Sequence, residues 1–431
     1  MTATYRIGCI LLLIGVVILA SCDKTEEFPA NSSTFILPQN DNNTLIYEGK
    51  KAGDFEVASD EMNWSGIKKL IVKGHINNKD IGIIKRYIAE AFNGELREVD
   101  FRDAEVFEGQ FINSPFHKLK NLDYFVFPRK IKSTGDNVMS ESYWIREVIV
   151  PEDVEIIGDL TFQVVSLRLD VQQTGHVYPI DIPYMPIEKY QLPNTVREIG
   201  QFAYRYYPYE DLELPESVEV IKRGCFANTK LTSFTFPPKV TALPDECFLS
   251  SADLETITLP EGLKSIGSAP FAGTKIEELL MPDGIKEVGE GFLSGIHLKK
   301  IKWSQSLVEL GNRAMRGNNF AELRIPGQIV HIGESCFYQS TTKRIWFHKD
   351  ITELGRGFIN GMDNLEEVHV AWVAPPPANT LFDNILINPL GTPEYNKSPD
   401  FEKVKLYVPA GTANLYKNAP GWKNFKQIIE E

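Results

Sequence analysis

The sequence predicts a solenoid, a fold in which short coils of chain stack on one another around a shared core. Three periodic features predict it. Prolines close short apolar stretches at steps of 22, 23, 22 and 44 residues between Pro215 and Pro326. Most of these prolines are followed after seven residues by a glycine, as Gly267 follows Pro260, and after ten or eleven by an aromatic residue or methionine, as in Phe271. A unit this short cannot bury its own apolar side, so the units must stack.

The residues before each proline predict a short strand with one buried face. In the unit that ends at Pro260, Ile257 and Leu259 alternate with Thr256 and Thr258, and such alternation is typical of a strand. Proline ends the strand because it has no N–H to donate. We therefore expect parallel strands about 4.8 Å apart on one face of a right-handed solenoid. Short turns or 3-10 helix should form the other face, where the repeated glycine permits a tight turn.

The composition excludes nucleic acid as the main partner. The 431 residues carry a formal net charge of -13, whereas phosphate binding needs a basic surface. The histidines and cysteines have no metal-ligand spacing, so we expect no metal site and no cofactor. No arrangement of carboxylates singles out an acid and base pair, which favours a non-enzymatic function.

Residues 1–21 are predicted to be a signal peptide. Arg6 precedes an uncharged apolar run that is too short for a stable transmembrane helix. The run ends in Leu-Ala-Ser-Cys at positions 19–22, which resembles the lipobox of bacterial lipoproteins. The resemblance implies that Cys22 becomes the lipidated first residue and that this lipid anchors the mature chain in a membrane. The alternative is an ordinary signal peptide with a chance cysteine.

Residues 22–44 predict a flexible tether with few core-forming side chains. Its acidic beginning, from Asp23 to Glu27, looks like the surface-export signal of some Gram-negative lipoproteins. That likeness implies an outer-membrane lipoprotein exposed at the cell surface. In other bacteria an Asp directly after the lipidated cysteine means retention in the inner membrane, so both locations stay open.

Residues 45–116 predict an amino-terminal cap rather than a regular repeat. Two strand-like pieces at 70–72 and 96–101 flank residues 80–92, whose apolar residues have helical spacing. Asn78 or Asp80 is a candidate N-cap for this helix. A cap of this kind covers the open end of a solenoid core.

Regular repeats are predicted from 117 to 371, with an insertion at about 163–187. The insertion and the next connection are rich in tyrosine, and tyrosine combines a rigid ring with a polar tip that suits recognition of sugars or proteins. This second candidate site consists of Tyr178, Tyr184, Tyr206, Tyr207 and Tyr209. The alternative is that these side chains pack on one another.

Residues 372–431 predict a carboxyl-terminal cap of mixed structure. A strand is expected at 404–409 and a short helix near 412–418, and Trp422 and Phe425 follow as core residues. These elements should close the other end of the core.

The repeat pattern now supports a family resemblance. Units of the form L-P-x-x-V-x-x-I-G-x-x-x-F, as at 192–204 and 259–271, are similar to the BspA-type leucine-rich repeats of bacterial surface proteins. The closing residues 406–412 and 421–425 resemble the end of many lipoproteins of that group. The resemblance implies a leucine-rich-repeat right-handed solenoid and a link to adhesion and to binding host or matrix proteins.

Three cysteines repeat the same position within their units. Cys225, Cys247 and Cys336 each stand directly before the aromatic residue that plugs the coil. We expect buried small side chains there. A bridge between Cys225 and Cys247 is not expected, because parallel side chains on adjacent coils make the disulfide dihedral difficult.

The exposed residues of the strands form the first candidate binding site. Positions two and four before successive anchors bring basic and aromatic side chains onto neighbouring strands. This set is Lys300, Lys302, Arg324, Arg344, Trp346 and His369. Stacked cations repel and an exposed tryptophan is costly, which suggests an anionic or carbohydrate ligand. The alternative is a solvated ladder balanced by Glu278, Glu322 and Glu367, with Trp346 covered by the carboxyl-terminal cap.

The functional prediction is a lipid-anchored surface protein that recognises host or matrix proteins. The runner-up is an outer-membrane lipoprotein that captures glycans, which the tyrosine loops would favour. The alternative from a different class is a hydrolase. The sequence itself does not name the ligand, because fold does not fix function.

Overall fold

The structure is a computed structural model that describes residues 43–90, 95–119, 122–142, 145–163, 189–376, 385–387, 393–395 and 399–431. Cys22 with the signal peptide, and Tyr178 and Tyr184 with nearly all of the insertion, lie outside the described residues. The described coils stack as a solenoid, and each repeat strand pairs in parallel with a strand of a neighbouring coil. The predicted fold class is confirmed.

One face of the solenoid, the front face, carries the strands that precede the anchors. Partner residues lie one repeat apart, as in the pairs Ser233 with Thr256 and Glu278 with Lys300. The front strands form several sheets, because residues 211–213 form no strand and the sheet is also interrupted after Thr256–Thr258 and after Lys300–Lys302. The front strands of the repeats are Tyr124–Val126, Glu147–Ile149, Lys189–Gln191, Ser233–Thr235, Thr256–Thr258, Glu278–Leu280, Lys300–Lys302, Glu322–Arg324, Arg344–Phe347 and Glu367–Val370.

The back face contains turns, as expected, and adds a second row of two-residue parallel strands. In most of these strands the second residue is buried and the first faces solvent, as in Val220–Ile221. The row consists of Ile156–Ile157, Glu198–Ile199, Val220–Ile221, Ala242–Leu243, Ser265–Ile266, Glu287–Val288, Glu309–Leu310, His331–Ile332 and Glu353–Leu354. The two rows of strands enclose the core between them.

The repeated glycine is required for close backbone approach rather than for a left-handed turn. An added Cβ at Gly267 would lie 2.5 Å from the Asp245 nitrogen, and one at Gly355 would lie 2.3 Å from the Gly333 carbonyl carbon. The left-handed residue comes two positions later, where Ala269 has φ of 45°. The glycine was expected at this position, but its physical reason is the packing of one coil on the next.

The core is a continuous stack of apolar side chains. Phe226, Phe248 and Phe271 are fully buried on successive coils, with ring centroids 5.2 Å apart for the first pair and 6.5 Å for the second. Each ring therefore packs against the coil before it and the coil after it. This arrangement confirms the expected role of the aromatic residue as a plug.

The amino-terminal cap contains three long parallel strands and two helices. The strands are Thr44–Gly49, Lys69–Ile76 and Glu98–Val106, and the helices are Phe55–Glu61 and Asn78–Glu90. The second helix confirms the predicted helix. Its N-cap is Asn77, because the Asn77 Oδ1 accepts the N–H of Lys79 at 2.9 Å and of Asp80 at 3.1 Å. The expected N-cap at Asn78 or Asp80 was wrong by one and three residues.

Asp80 ties the two helices of this cap together. Its fully buried carboxylate accepts the backbone N–H groups of Asn77 at 2.9 Å, Gly53 at 2.7 Å and Phe55 at 3.1 Å. Burial raises the pKa of Asp80, and these hydrogen bonds oppose the shift. Asp80 and the N-cap residue Asn77 thus form a reciprocal pair of hydrogen bonds at the start of the second helix. The bonds to Gly53 and Phe55 hold the start of the first helix.

The carboxyl-terminal cap continues the front sheet. Lys405–Val408 pairs in parallel with Glu367–Val370, and Gln427–Glu430 pairs with Lys405–Val408. Ala413–Asn418 is an α-helix, Trp422–Asn424 is a 3-10 helix, and Ile385–Ile387 pairs antiparallel with Pro393–Tyr395. The expected strand and helix of the cap are both present.

Three aromatic side chains hold this cap against the last coil. The Trp422 ring centroid lies 5.9 Å from that of Trp372, and the Tyr416 hydroxyl donates to the Trp372 carbonyl oxygen at 2.7 Å. The Trp372 indole N–H donates in turn to the Ile351 carbonyl oxygen at 3.0 Å. Among the helices of the described ranges, none is long and apolar enough to cross a membrane.

Candidate functional site

Two columns of side chains cross the front face along the solenoid axis. Their positions follow from the strand register, because residues four and two before each anchor both point outward. The charged column consists of Glu278, Lys300, Glu322, Arg344, Glu367 and Lys405. The aromatic column consists of Leu280, Lys302, Arg324, Trp346, His369 and Tyr407.

The charged column alternates in sign from coil to coil. Lys300 pairs with Glu278, and Arg344 pairs with Glu322 and, at 3.5 Å, with Glu367. Lys405 lies 4.0 Å from Glu367 on the far side. Exposed pairs of this kind stabilise by about 0–1 kcal/mol each, so the column is a nearly neutral ladder with little attraction for an anion.

The aromatic column contains three rings stacked face to face. The Trp346 and His369 centroids are 4.7 Å apart with planes 15° from parallel, and His369 and Tyr407 are 4.3 Å apart at 3°. On the other side the Arg324 guanidinium lies 3.9 Å from the Trp346 centroid. The stack therefore spans four neighbouring strands.

His369 stands between two carboxylates as well as between two rings. Its Nδ1 lies 2.9 Å from the Glu431 carboxylate, and its Nε2 lies 3.5 Å from that of Glu367. The side chain is only 12% exposed. The imidazole thus links the last repeat to the end of the carboxyl-terminal cap.

Stacking determines which parts of the rings meet solvent. Both faces of Trp346 and of His369 are covered by their neighbours, so their edges form the outer surface. Ring edges are the positive part of the aromatic quadrupole, and they suit polar acceptors better than the flat apolar face of a sugar. An open sheet face with such a surface can bind a protein segment without any cleft.

The structure divides the predicted front-face set between the two columns. Lys302, Arg324, Trp346 and His369 lie together in the aromatic column, whereas Lys300 and Arg344 lie among the paired charges. Glu278, Glu322 and Glu367 balance the charged column, as the ladder alternative expects. Among the described residues, Arg324 and His369, rather than the carboxyl-terminal cap, occupy the two faces of Trp346.

Two contributors to this surface were missed by sequence reasoning. Tyr407 extends the ring stack, and Glu431 binds its central histidine. The signal for Tyr407 was present, since it stands two residues before Pro409 in the same register as Trp346 before His348. Nothing in the repeat pattern indicated Glu431.

The described part of the tyrosine-rich site is largely packed. The centroid of Tyr207 lies 5.7 Å from the buried Tyr204 and 5.3 Å from Tyr209, and burial raises the pKa of Tyr207. The Arg205 guanidinium lies over the Tyr206 ring, 4.8 Å from the ring centroid. Its neighbours in the second candidate site, Tyr178 and Tyr184, lie outside the described residues.

The three repeat cysteines are free and buried, as expected. Burial raises the pKa of Cys225, Cys247 and Cys336 above the ordinary thiol value. Thiols of this kind are inert side chains of the core. Among the described residues, no group of His, Cys, Asp and Glu could hold a metal ion.

Comparison with known proteins identifies the repeat. The model of the BspA type leucine rich repeat region matches residues 92–168, 184–295 and 271–374, in six copies. These matches cover more than half of the chain. No curated protein matches the sequence significantly.

Solved structures of leucine-rich-repeat proteins also match the chain. The pneumococcal vaccine antigen PcpA is 14% identical with a TM-score of 0.43, over 92% of this chain and 98% of that one. A leucine-rich cell surface protein from Faecalibacterium prausnitzii is 14% identical with a TM-score of 0.34, over 94% and 96%. A leucine-rich-repeat protein from Bacteroides ovatus is 16% identical with a TM-score of 0.36, over 64% and 86%.

The family match agrees with the geometry of the coils. Parallel front strands, a repeated close-approach glycine and a buried aromatic plug recur through the matched ranges. The chain belongs to the BspA-type leucine-rich-repeat family.

Proposed function

We propose that the protein is a lipid-anchored, surface-exposed and non-enzymatic binding protein that recognises host or matrix proteins through its front face. The observation that carries the proposal is the aromatic column, in which Arg324, Trp346, His369 and Tyr407 form an ordered stack on an exposed sheet. Tryptophan, tyrosine and arginine are the residues that contribute most to protein interfaces. A rigid stack also loses little conformational entropy when it binds.

Protein recognition is favoured over glycan capture by the orientation of the rings. A sugar stacks on an open aromatic face, whereas the faces of Trp346 and His369 are occupied. Edges and a guanidinium offer hydrogen bonds and charge instead. The glycan alternative therefore depends on the tyrosine-rich site, where Tyr207 is packed against its neighbours.

A binding panel tests this proposal. Purified protein is applied to immobilised collagen, fibronectin, fibrinogen and laminin, and to a glycan array, beside the double variant Trp346→Ala with Arg324→Glu. We expect binding to at least one matrix protein and its loss in the double variant, because the variant removes the Trp346 ring and replaces the positive charge of Arg324 with a negative one.

The matched control is Lys343→Glu, which makes the same charge change on the coil of Trp346 but outside both columns. Circular dichroism must show that each variant is folded. Undiminished binding by the folded double variant would place the site elsewhere, and binding to glycans alone would favour the runner-up function.

The anchor is tested separately. The variant Cys22→Ala should release the protein from the membrane fraction, because the thiol that takes the lipid is lost. Protease treatment of intact cells then reports whether the wild-type chain is exposed. Unchanged membrane retention of the variant would refute lipidation at Cys22, and protection from protease would refute surface exposure.

The hydrolase alternative has its own test. A panel of glycoside and peptide substrates should show no turnover above the background of the buffer. Turnover that disappears when a single carboxylate is replaced would overturn the non-enzymatic proposal.

A further inference from the structure

The two columns of the front face differ in how their cations are neutralised. In the charged column each cation has a carboxylate on an adjacent coil. The aromatic column from Leu280 to Tyr407 contains two cations, Lys302 and Arg324, and no acid. Among the described residues, Arg324 is therefore the cation of the two columns that has no carboxylate partner.

Arg324 stands at an exposed position of the aromatic column. Its side chain meets solvent and, among the described residues, makes its contact with Trp346 rather than with a carboxylate. Stacking on the indole holds the planar guanidinium in place. Its N–H groups then lie in a fixed fork, which matches the two oxygens of a carboxylate.

Lys302 adds a second cation one coil away. Lys302 and Arg324 hold the same position on successive coils, so the two positive groups repel each other and a shared anion would relieve the repulsion. Lys302 has a carboxylate partner outside the column, Asp283 at 3.6 Å, in an exposed pair of little strength that a bound acid can replace. Leu280, 53% exposed, continues the column beside Lys302 and provides an apolar contact.

We infer that Leu280, Lys302, Arg324 and Trp346 form a preorganised receptor for an extended acidic segment of a partner protein. Arg324 and Lys302 bind one Asp or Glu side chain, Trp346 fixes the Arg324 fork, and Leu280 contacts an apolar side chain of the same segment. This inference rests on the proposed protein-binding function and names the chemistry of the partner.

The surroundings favour a single carboxylate over a polyanion. Glu278, Glu322 and Glu367 lie in the neighbouring column, and the whole chain carries a net charge of -13. A sulfated polysaccharide would place further negative charges over these carboxylates and be repelled. A peptide with one acid and flanking apolar residues meets only the positive part of the surface.

Selection from a random twelve-residue peptide library with the full chain tests the inference. We expect the selected peptides to be enriched in Asp or Glu next to an apolar residue. For the best synthetic peptide, Arg324→Gln should weaken binding by about tenfold or more, because a charge-assisted bidentate hydrogen bond is lost. Arg324→Lys should lose most of the affinity too, since lysine has no planar fork.

The control Lys343→Gln removes one positive charge from the coil of Trp346, next to that of Arg324 and outside both columns, and its affinity should equal that of the wild type. Leu280→Ala, an exposed substitution that leaves the core intact, should weaken binding by a smaller factor. Peptides without acid enrichment, or equal affinity of the Arg324→Gln variant, would overturn the inference. Heparin binding that depends on Arg324 would also overturn it, in favour of a sulfated glycan.

The result separates this inference from the proposed function. Matrix-protein binding that is lost in Trp346→Ala but unchanged in Arg324→Gln would sustain the function and reject the carboxylate receptor. Acidic peptides bound through Arg324, with no matrix protein bound, would sustain the receptor and reject the matrix-binding function.

Discussion

The amino-terminal cap depends on a single buried carboxylate, that of Asp80, which is not part of the repeat pattern. Asp80 is a fully buried acid that accepts three backbone N–H groups. Desolvation disfavours its charge, while the three hydrogen bonds compensate in part. Its pKa is raised above the ordinary value, which makes the stability of this cap depend on pH.

We expect Asp80→Ala to lower the free energy of unfolding by about 1–3 kcal/mol, because buried N–H donors lose their acceptor. The folded-state pKa is raised, so the folded protein holds the proton more tightly than the unfolded chain, and the contribution of Asp80 falls as pH rises from 3.8 toward the folded-state pKa. Urea unfolding at several pH values measures both effects. Asp60→Ala, at an exposed position of the first helix, is the control. A difference between Asp80→Ala and wild type that grows with pH over this window would contradict the assignment.

The core thiols give a second residue-scale prediction. Because burial raises the pKa of Cys225, Cys247 and Cys336, the native protein should leave all three unmodified by iodoacetamide at pH 8. Denatured protein should be alkylated at each of them. Peptide mapping by mass spectrometry locates the label, and rapid native labelling of any of these peptides would show that the coil around it opens.

At the scale of the element, the packing of a coil depends on how closely its back turn approaches the back turn of the previous coil. The repeated glycine has no Cβ where the backbones nearly touch, and the left-handed residue lies two positions later. Lys222 and Pro244 stand in the glycine position of their coils, so the glycine is not required in every coil. The close contact is a property of pairs of coils.

Gly333→Ala should therefore destabilise the protein by about 1–3 kcal/mol, as an overpacked contact does. Its new Cβ would lie 2.5 Å from the Gly311 carbonyl carbon. Gly327→Ala is the matched control six residues earlier, where an added Cβ meets nothing within 4 Å, and it should be neutral or slightly stabilising. Equal thermal stability of the two variants would refute the close-approach explanation.

The repeat pattern predicted the features that recur from coil to coil and missed those that occur only once in the chain. Register placed Trp346 and His369 side by side on the front face, and the stacked rings lie there. The pattern could not give the stacking itself, which depends on rotamers, nor the partner Glu431, which lies 62 residues from His369 in sequence. The first helix and the first strand of the amino-terminal cap were also missed, because they lie outside the repeats and the repeat pattern gives no signal for them.

At the scale of the whole molecule, the solenoid is a stack of coils, and a different cap closes each end. Each coil contacts the coils beside it, so a local change should remain local. The amino-terminal cap adds three strands to the front sheet and covers the core with two helices, and the carboxyl-terminal cap adds two strands and packs Trp422 against Trp372.

Trp422→Ala should cost about 3–5 kcal/mol, the usual effect of removing a buried aromatic side chain. Because the fold is nearly one-dimensional, amide hydrogen exchange should accelerate in residues 344–376 and 401–431 and stay unchanged in residues 69–106. Lys423→Ala, at the exposed neighbouring position, should leave exchange unaltered. Uniform acceleration along the chain would show that the solenoid unfolds as one cooperative unit.

The ring stack crosses the boundary between the repeats and the carboxyl-terminal cap, since Tyr407 belongs to the cap and Trp346 to a regular coil. Tandem arrays evolve by gaining or losing whole units. Duplication of a coil before Glu278 would lengthen the protein and leave the stack intact, whereas a unit inserted between Trp346 and His369 would separate its members. Among homologues of different length, the copy number should therefore vary on the amino-terminal side of this surface and stay fixed within it.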